Sequence, residues 1–143
     1  MKKKLKPGET LSTFFEQSFS ASSRDLRNAR IRFAESLAAS CIFTYLLLVK
    51  DRHNGNIMLR SDGTRLLLFV GVRRRHLEIT SRNAVRVGPG MLVHIDFGFI
   101  LGHAPGGRFS LERAPFKLTA EMANVMGGMN SPLWVRLNLF AHM

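Results

Sequence analysis

Asp51-Arg52-His53-Asn54-Gly55-Asn56 is a polar hexapeptide set between two apolar stretches: the run that ends at Val49 and the triplet Ile57-Met58-Leu59. Upstream, Leu26, Ile31, Phe33, Ala34, Leu37, Ala38, Cys41, Ile42, Tyr45, Leu46 and Val49 recur at three- and four-residue spacing. That period predicts one long helix over residues 22–50. Ser22 with Asp25 three residues on makes a capping box at its start. From Ala38 onward the helix is apolar almost all round, which predicts that its second half is buried in the core. Downstream, Ile57-Met58-Leu59 and Leu92-Val93-His94-Ile95 are short apolar runs flanked by turn residues, and each reads as a short strand. Thr119 caps a helix that stops at Gly127-Gly128, and Ser131-Pro132 starts a last helix.

Asp51 and Asn56 are five residues apart. Protein-kinase catalytic loops use that spacing: the aspartate handles the proton of the acceptor hydroxyl and the asparagine ligates magnesium. A base and a metal ligand must face the same terminal phosphate, and a short loop at the end of a core helix can hold both. The plain structural reading of the same residues is a polar loop with an Asn-Gly turn.

A second string, Asp96-Phe97-Gly98, follows directly on the strand Leu92–Ile95. A carboxylate there can bind a magnesium ion that bridges the outer phosphates of ATP. Alone, the triplet is also an ordinary strand-to-turn junction. Asn56 and Asp96 are 40 residues apart, but taking out the 27 residues from Arg65 to Met91 leaves 13. What remains is a strand, an Asp62-Gly63 turn, a strand and then the metal aspartate. Residues 65–91 show no sustained helical or strand period and read as an insertion, mostly loop. Surface loops accept added length at an entropic cost of about 0.6 kcal/mol per doubling. The hairpin is therefore expected to survive, with most of residues 71–91 projecting and apolar Leu66–Val70 seeking cover.

Val49-Lys-Asp-Arg-His-Asn-Gly-Asn-Ile-Met58, His94-Ile-Asp-Phe-Gly-Phe-Ile-Leu101 and Glu112-Arg-Ala-Pro-Phe-Lys-Leu-Thr119 resemble the catalytic loop, metal-binding motif and activation loop of phosphatidylinositol 3- and 4-kinases. The order Asp-Arg-His, reversed from that of protein kinases, resembles the lipid-kinase side, and Phe99 after Asp-Phe-Gly is similar to the 4-kinases. So are Phe33-Ala-Glu-Ser-Leu-Ala-Ala39 and Val125-Met-Gly-Gly128, most of all to their type III beta branch. The resemblance covers about residues 10–64 and 92–140. It implies a fold that is mainly α with a small β-hairpin, the partial C-terminal lobe of a protein-kinase-like lipid kinase. Residues 1–9 would be a basic tail and 10–143 the partial catalytic domain, interrupted at 65–91.

The implied cofactors are ATP and Mg2+, with Mn2+ as a substitute, and the implied substrate is phosphatidylinositol in a membrane surface. Asn56 and Asp96 would bind the metal, with Phe97 and Gly98 completing the cofactor motif. His53, Asp51 and Arg52 would form the catalytic set, His53 contacting the transferring phosphate or serving as base and Asp51 being the alternative base. The choice leans to His53, because no second histidine follows Asp-Phe-Gly. Phe99 to Leu118 would read the inositol headgroup through Arg108, Arg113 and Lys117. So few cations suit a headgroup without extra phosphates. His94 reads as a strand residue whose ring packs or hydrogen-bonds locally. His76, His103 and His142 show no ligand spacing, and the phenylalanines at 14, 15, 19, 33 and 43 read as core.

At 143 residues and 45% apolar content, one globular domain with a single core is expected. A lone cysteine, Cys41, allows no intrachain disulfide, and no apolar run approaches the roughly 20 residues that span a bilayer. The expectation is a cytoplasmic protein lying on the cytosolic face of internal membranes. The net charge of +11 raises nucleic acid as a rival partner. Residues 1–10 and 65–91 supply eight of those eleven charges, however, and no basic strand interleaved with aromatics is present. Specific nucleic-acid binding is therefore not expected. A glycine-rich phosphate loop and a strand lysine are not found before residue 22, so the chain reads as a catalytic fragment, inactive alone. The alternatives are a dead kinase-lobe remnant that binds a partner, or a phosphatidylinositol 3-kinase.

Overall fold

The computed structural model describes residues 8–60, 88–106 and 114–141. The arginine run at 73–75, Leu66–Val70, Arg108 and Arg113 lie outside them. In chain order the described elements are α1 (Leu11–Phe19), α2 (Ser23–Leu46), a 3-10 turn (Asn54–Asn56), β1 (Ile57–Leu59), β2 (Leu92–His94), α3 (Ala120–Val125) and α4 (Pro132–Ala141). Helix α2 is the spine, with α1, α4 and β2 packed along it and α3 packed against α1.

Each helix start has a chemical cause. Thr10 accepts from the Thr13 amide while the Thr13 hydroxyl accepts from the Thr10 amide, a reciprocal capping box for α1. Ser22 accepts from the Asp25 amide and donates its hydroxyl to the Asp25 carboxylate. Thr119 caps α3, and Ser131 caps α4 ahead of Pro132. Phe15, Phe33 and Leu37 are fully buried, and Phe15 stands edge-on to Phe19 at 4.7 Å and to Phe33 at 5.6 Å.

The second half of α2 departs from expectation. Burial falls on Ala29, Phe33, Ala34, Ser36 and Leu37 and, in the second half, on Thr44, whereas Ile42, Tyr45, Leu46, Leu47 and Leu48 are exposed. A helix apolar on all sides needs cover on all sides. The described elements cover α2 mainly toward its N-terminal half.

The hairpin forms as the two strand readings require. β1 and β2 pair antiparallel with Ile57 opposite His94, Met58 opposite Val93 and Leu59 opposite Leu92. Backbone bonds extend the ladder at both ends. The Ile95 amide donates to the Asn56 carbonyl; at the far end the Arg60 amide donates to Met91 and the Gly90 amide to Arg60. The paired hairpin thus takes in Gly90 and buried Met91, from the stretch that the sequence presents as loop.

Two contacts clamp this sheet to α2. Buried Ser36 accepts from the Leu92 amide at 2.9 Å and donates to the Phe33 carbonyl at 3.0 Å. Arg32 Nε donates to the Pro89 carbonyl at 2.7 Å. Gly90 lies at φ +88°, and a Cβ there would sit 2.7 Å from the Ala29 carbonyl oxygen. Gly90→Ala is expected to destabilise the protein by roughly 2–4 kcal/mol, combining the left-handed penalty with backbone overlap. Gly88→Ala should cost much less, since its nearest neighbour is the movable Arg32 side chain at 3.2 Å. Denaturant unfolding of both variants checks the difference, and equal losses would refute it.

Cys41 packs against this core, and burial pushes its thiol up to about 11. The reactive thiolate is therefore scarce at neutral pH. Cys41 should react with a disulfide reagent at pH 7.5 at least about tenfold more slowly in the folded than in the urea-unfolded protein. Equal rates would refute the burial.

Candidate active site

The end of α2 aims the polar loop. The Val49 amide donates to the Thr44 carbonyl and the Leu48 amide to Tyr45, the paired bonds of a Schellman stop. Leu48, at φ +48°, occupies the left-handed position where glycine is usual. The chain then leaves the helix sharply and enters Lys50–Asn56. Asp51 is itself left-handed at φ +63°, as is Asp96 at φ +57°. Aspartate tolerates this conformation better than most residues, and such backbone persists only where the surroundings hold it.

Arg52 supplies that hold. Only 5% exposed, its guanidinium donates through Nε to the Lys50 carbonyl at 2.9 Å, through Nη1 to Ile95 at 2.9 Å and through Nη2 to the Asp96 carbonyl. One side chain therefore ties the Asp51–Asn56 loop to the Asp96–Gly98 loop. Its guanidinium also lies 5.4 Å from the ring centre of Phe97, and that ring meets Phe43 of α2 edge-on. Backbone bonds from Lys50 to Phe99 and from Leu101 to Leu47 continue the join.

Within this frame Asn56 is buried and donates Nδ2 to the Asp51 carbonyl at 2.9 Å and to Asp51 Oδ2 at 3.3 Å. The amide nitrogen is thereby spent on Asp51, and the side-chain oxygen is left as the ligand atom. Asp96 is exposed, with Oδ1 accepting from the Gly98 amide at 3.2 Å. Because the Ile95 amide bonds to the Asn56 carbonyl, both residues stand at the same end of the hairpin. An amide oxygen and a carboxylate suit a hard cation such as Mg2+, which keeps several waters and takes phosphate oxygens besides. The donor set fits that ion. Among the described residues no group of three or more His, Cys, Asp or Glu could hold a metal by itself.

His53 is mostly exposed and its Nδ1 accepts from the Gly55 amide at 3.0 Å. The proton of the neutral ring then sits on Nε2, 3.8 Å from Asp51 Oδ1. His94 is a strand residue with neither ring nitrogen hydrogen-bonded among the described residues. Burial, and secondarily the Arg52 charge, lower its pKa to about 4, so it is neutral at physiological pH.

The segment 114–118 lies across the loop. Lys117 Nζ donates to Asn54 Oδ1 at 2.6 Å, and Lys50 Nζ donates to the Ala114 carbonyl at 3.1 Å. An open pocket of about 250 Å³ is lined by Arg52, Ala114, Phe116, Lys117 and Leu118. Sequence reasoning gave Lys50 and Asn54 no role. Their only signal was a position inside the decisive loop.

The family model described as phosphatidylinositol 3- and 4-kinase matches residues 1–142. The chain belongs to this family. It is 40% identical over 131 residues to a phosphatidylinositol 4-kinase of Dictyostelium discoideum, a match covering 90% of the chain and 9% of the relative. It is 43% identical over 104 residues to phosphatidylinositol 4-kinase stt4 of Schizosaccharomyces pombe, covering 73% of the chain and 4% of that relative. It is 36% identical over 124 residues to phosphatidylinositol 4-kinase beta of Xenopus laevis, covering 87% and 12%. This phosphatidylinositol kinase chain thus spans about a tenth or less of the length of these relatives.

If Arg52 is the tie between the two loops, Arg52→Lys should fail to replace it, since one ammonium cannot reach three carbonyls in separate directions. The expected loss is roughly 2–4 kcal/mol in denaturant unfolding. An unchanged midpoint would show that the carbonyls find other partners.

Proposed function

We propose that the protein carrying this chain transfers the terminal phosphate of ATP to the 4-hydroxyl of phosphatidylinositol. The observation that carries the reading is the Arg52 tie, which sets Asp51, His53 and Asn56 beside Asp96 in a chain of this family. The similar relatives are named as phosphatidylinositol 4-kinases, which favours the 4-hydroxyl over the 3-hydroxyl. The fold read this way is the partial C-terminal lobe of a kinase-like domain.

Asn56 Oδ1 and the Asp96 carboxylate would hold Mg2+, which when bound neutralises charge on the outer phosphates of ATP. With Nδ1 occupied by the Gly55 amide, neutral His53 is a donor at Nε2. That tautomer reverses the choice of base drawn from the sequence: it supports His53 as the contact to an oxygen of the transferring phosphate and Asp51 as the group that takes the hydroxyl proton. Arg52 keeps both loops in register through carbonyls. The segment Phe99 to Leu118 would read the headgroup, and its cations in sequence are Arg108, Arg113 and Lys117.

A substrate that cannot leave the bilayer requires a protein that comes to it. Among the described residues no helix is long and apolar enough to cross a membrane. The proposed location is peripheral, on the cytosolic face of internal membranes.

The test is phosphoryl transfer by the whole protein from labelled ATP to phosphatidylinositol vesicles. The 4-phosphate is the expected product, and label found only on the 3-hydroxyl or only on protein would overturn the proposal. Asp96→Ala should lower kcat by about a hundred- to a thousandfold or more, because the contact it removes acts mainly in the transition state.

A further inference from the structure

We infer that Lys117 and Asn54 form a positioning latch that seats the segment Ala114–Leu118 on the catalytic loop, rather than Lys117 being a cation that reads the headgroup. This rests on the proposed function for its activity readout. The geometry behind it is independent.

Two lysines join the same two stretches in opposite directions. Lys117, from the segment, reaches Asn54 Oδ1 in the loop at 2.6 Å, while Lys50, from the loop, reaches the Ala114 carbonyl at 3.1 Å. The partners are 63 and 64 residues apart in sequence, so neither bond is a by-product of local geometry. The two bonds fall at residues 114 and 117, near the two ends of the segment. Between them Phe116 lines the pocket with Arg52, and just beyond them Leu118 packs against the hydrophobic core. Residues 114–118, the end of the stretch that would face the headgroup, are thus held to the loop that would carry the chemistry.

Asn54 opens the 3-10 turn that ends in Asn56, and it follows His53 directly. A pull on Asn54 therefore acts on both neighbours. To neutralise a lipid phosphate instead, the Lys117 ammonium would have to give up Asn54. The amide of Asn54 must present its oxygen to this ammonium, because its own nitrogen cannot accept. Lys117 acts through Asn54, and so changes the rate rather than the binding of lipid.

The variants are Lys117→Met, Asn54→Leu, their double and Lys117→Arg, made in the protein that carries this chain. Each single change should lower kcat for phosphatidylinositol roughly three- to tenfold, with lipid KM within about twofold of the parent. The double variant should be no slower than either single, because both remove one contact. Lys117→Arg, which keeps a donor, should recover at least half of the rate. A raised lipid KM with unchanged kcat in Lys117→Met, and a silent Asn54→Leu, would overturn the latch and make Lys117 a headgroup contact.

Hydrogen exchange keeps the question separate from the activity. The amides of Gly55 and Asn56, which donate to His53, should exchange several-fold faster in each single variant and no faster still in the double than in the singles. This holds even if the unmodified protein phosphorylates no lipid, in which case the proposed function fails and the latch stands. Unchanged exchange in both singles would overturn the latch whatever the activity.

Discussion

The described site depends on one guanidinium. Arg52 is buried in the space between two loops and satisfies three backbone carbonyls, two of them more than forty residues away in sequence. Carbonyls so enclosed need a donor, and a charged planar fork supplies several at once in fixed directions. Its position follows from α2, whose Schellman stop turns the chain so that Arg52 reaches the carbonyls of Ile95 and Asp96. The loop, the end of the hairpin and Asp96 are joined because this side chain bonds to the backbone of each.

That piece is mounted on α2 by a second, independent set of contacts. Ser36 fills the amide of Leu92, Arg32 holds Pro89, and Gly90 lets the returning strand touch the helix backbone. The α2 helix therefore serves twice. Its C-terminus launches the loop with Asp51, and its stretch from Ala29 to Ser36 seats the strand that leads to Asp96. The spacing of the two aspartates is set by one helix rather than by the chain that runs between Arg60 and Gly88.

Much of this arrangement could be read from residue types. The period of α2, the capping residues Ser22, Thr119 and Ser131, and the two short strands that pair as β1 and β2 all marked their elements. Helix α1 went unread, although Thr10-x-x-Thr13 and the spacing of Leu11, Phe15 and Phe19 carry its signal. The phenylalanines had been recognised only as core. Exposure of Tyr45, Leu46 and Leu48 could not be read, because periodicity reports which faces are apolar and not whether anything covers them. The work of Arg52 and Lys117 was also hidden. Both bind groups, a backbone carbonyl and an amide oxygen, that leave no distinctive partner residue to search for. Gly88-Pro89-Gly90 looked like loop punctuation, whereas Gly90 marks a close approach of backbone to helix.

Among the described residues four non-glycine residues, Leu48, Asp51, Asp96 and Leu101, hold left-handed backbone, and all lie on the two joined loops rather than in the helices. Each such residue costs on the order of 1 kcal/mol relative to a relaxed loop, and the cross-loop bonds offset that cost together. Helices α1 to α4 contain none of this tension and owe their order to buried phenylalanines and capped ends. The molecule is therefore built to come apart in a definite sequence. On warming, the two joined loops relax first while the helical body is still intact. Loss of their order would then run ahead of the loss of helix.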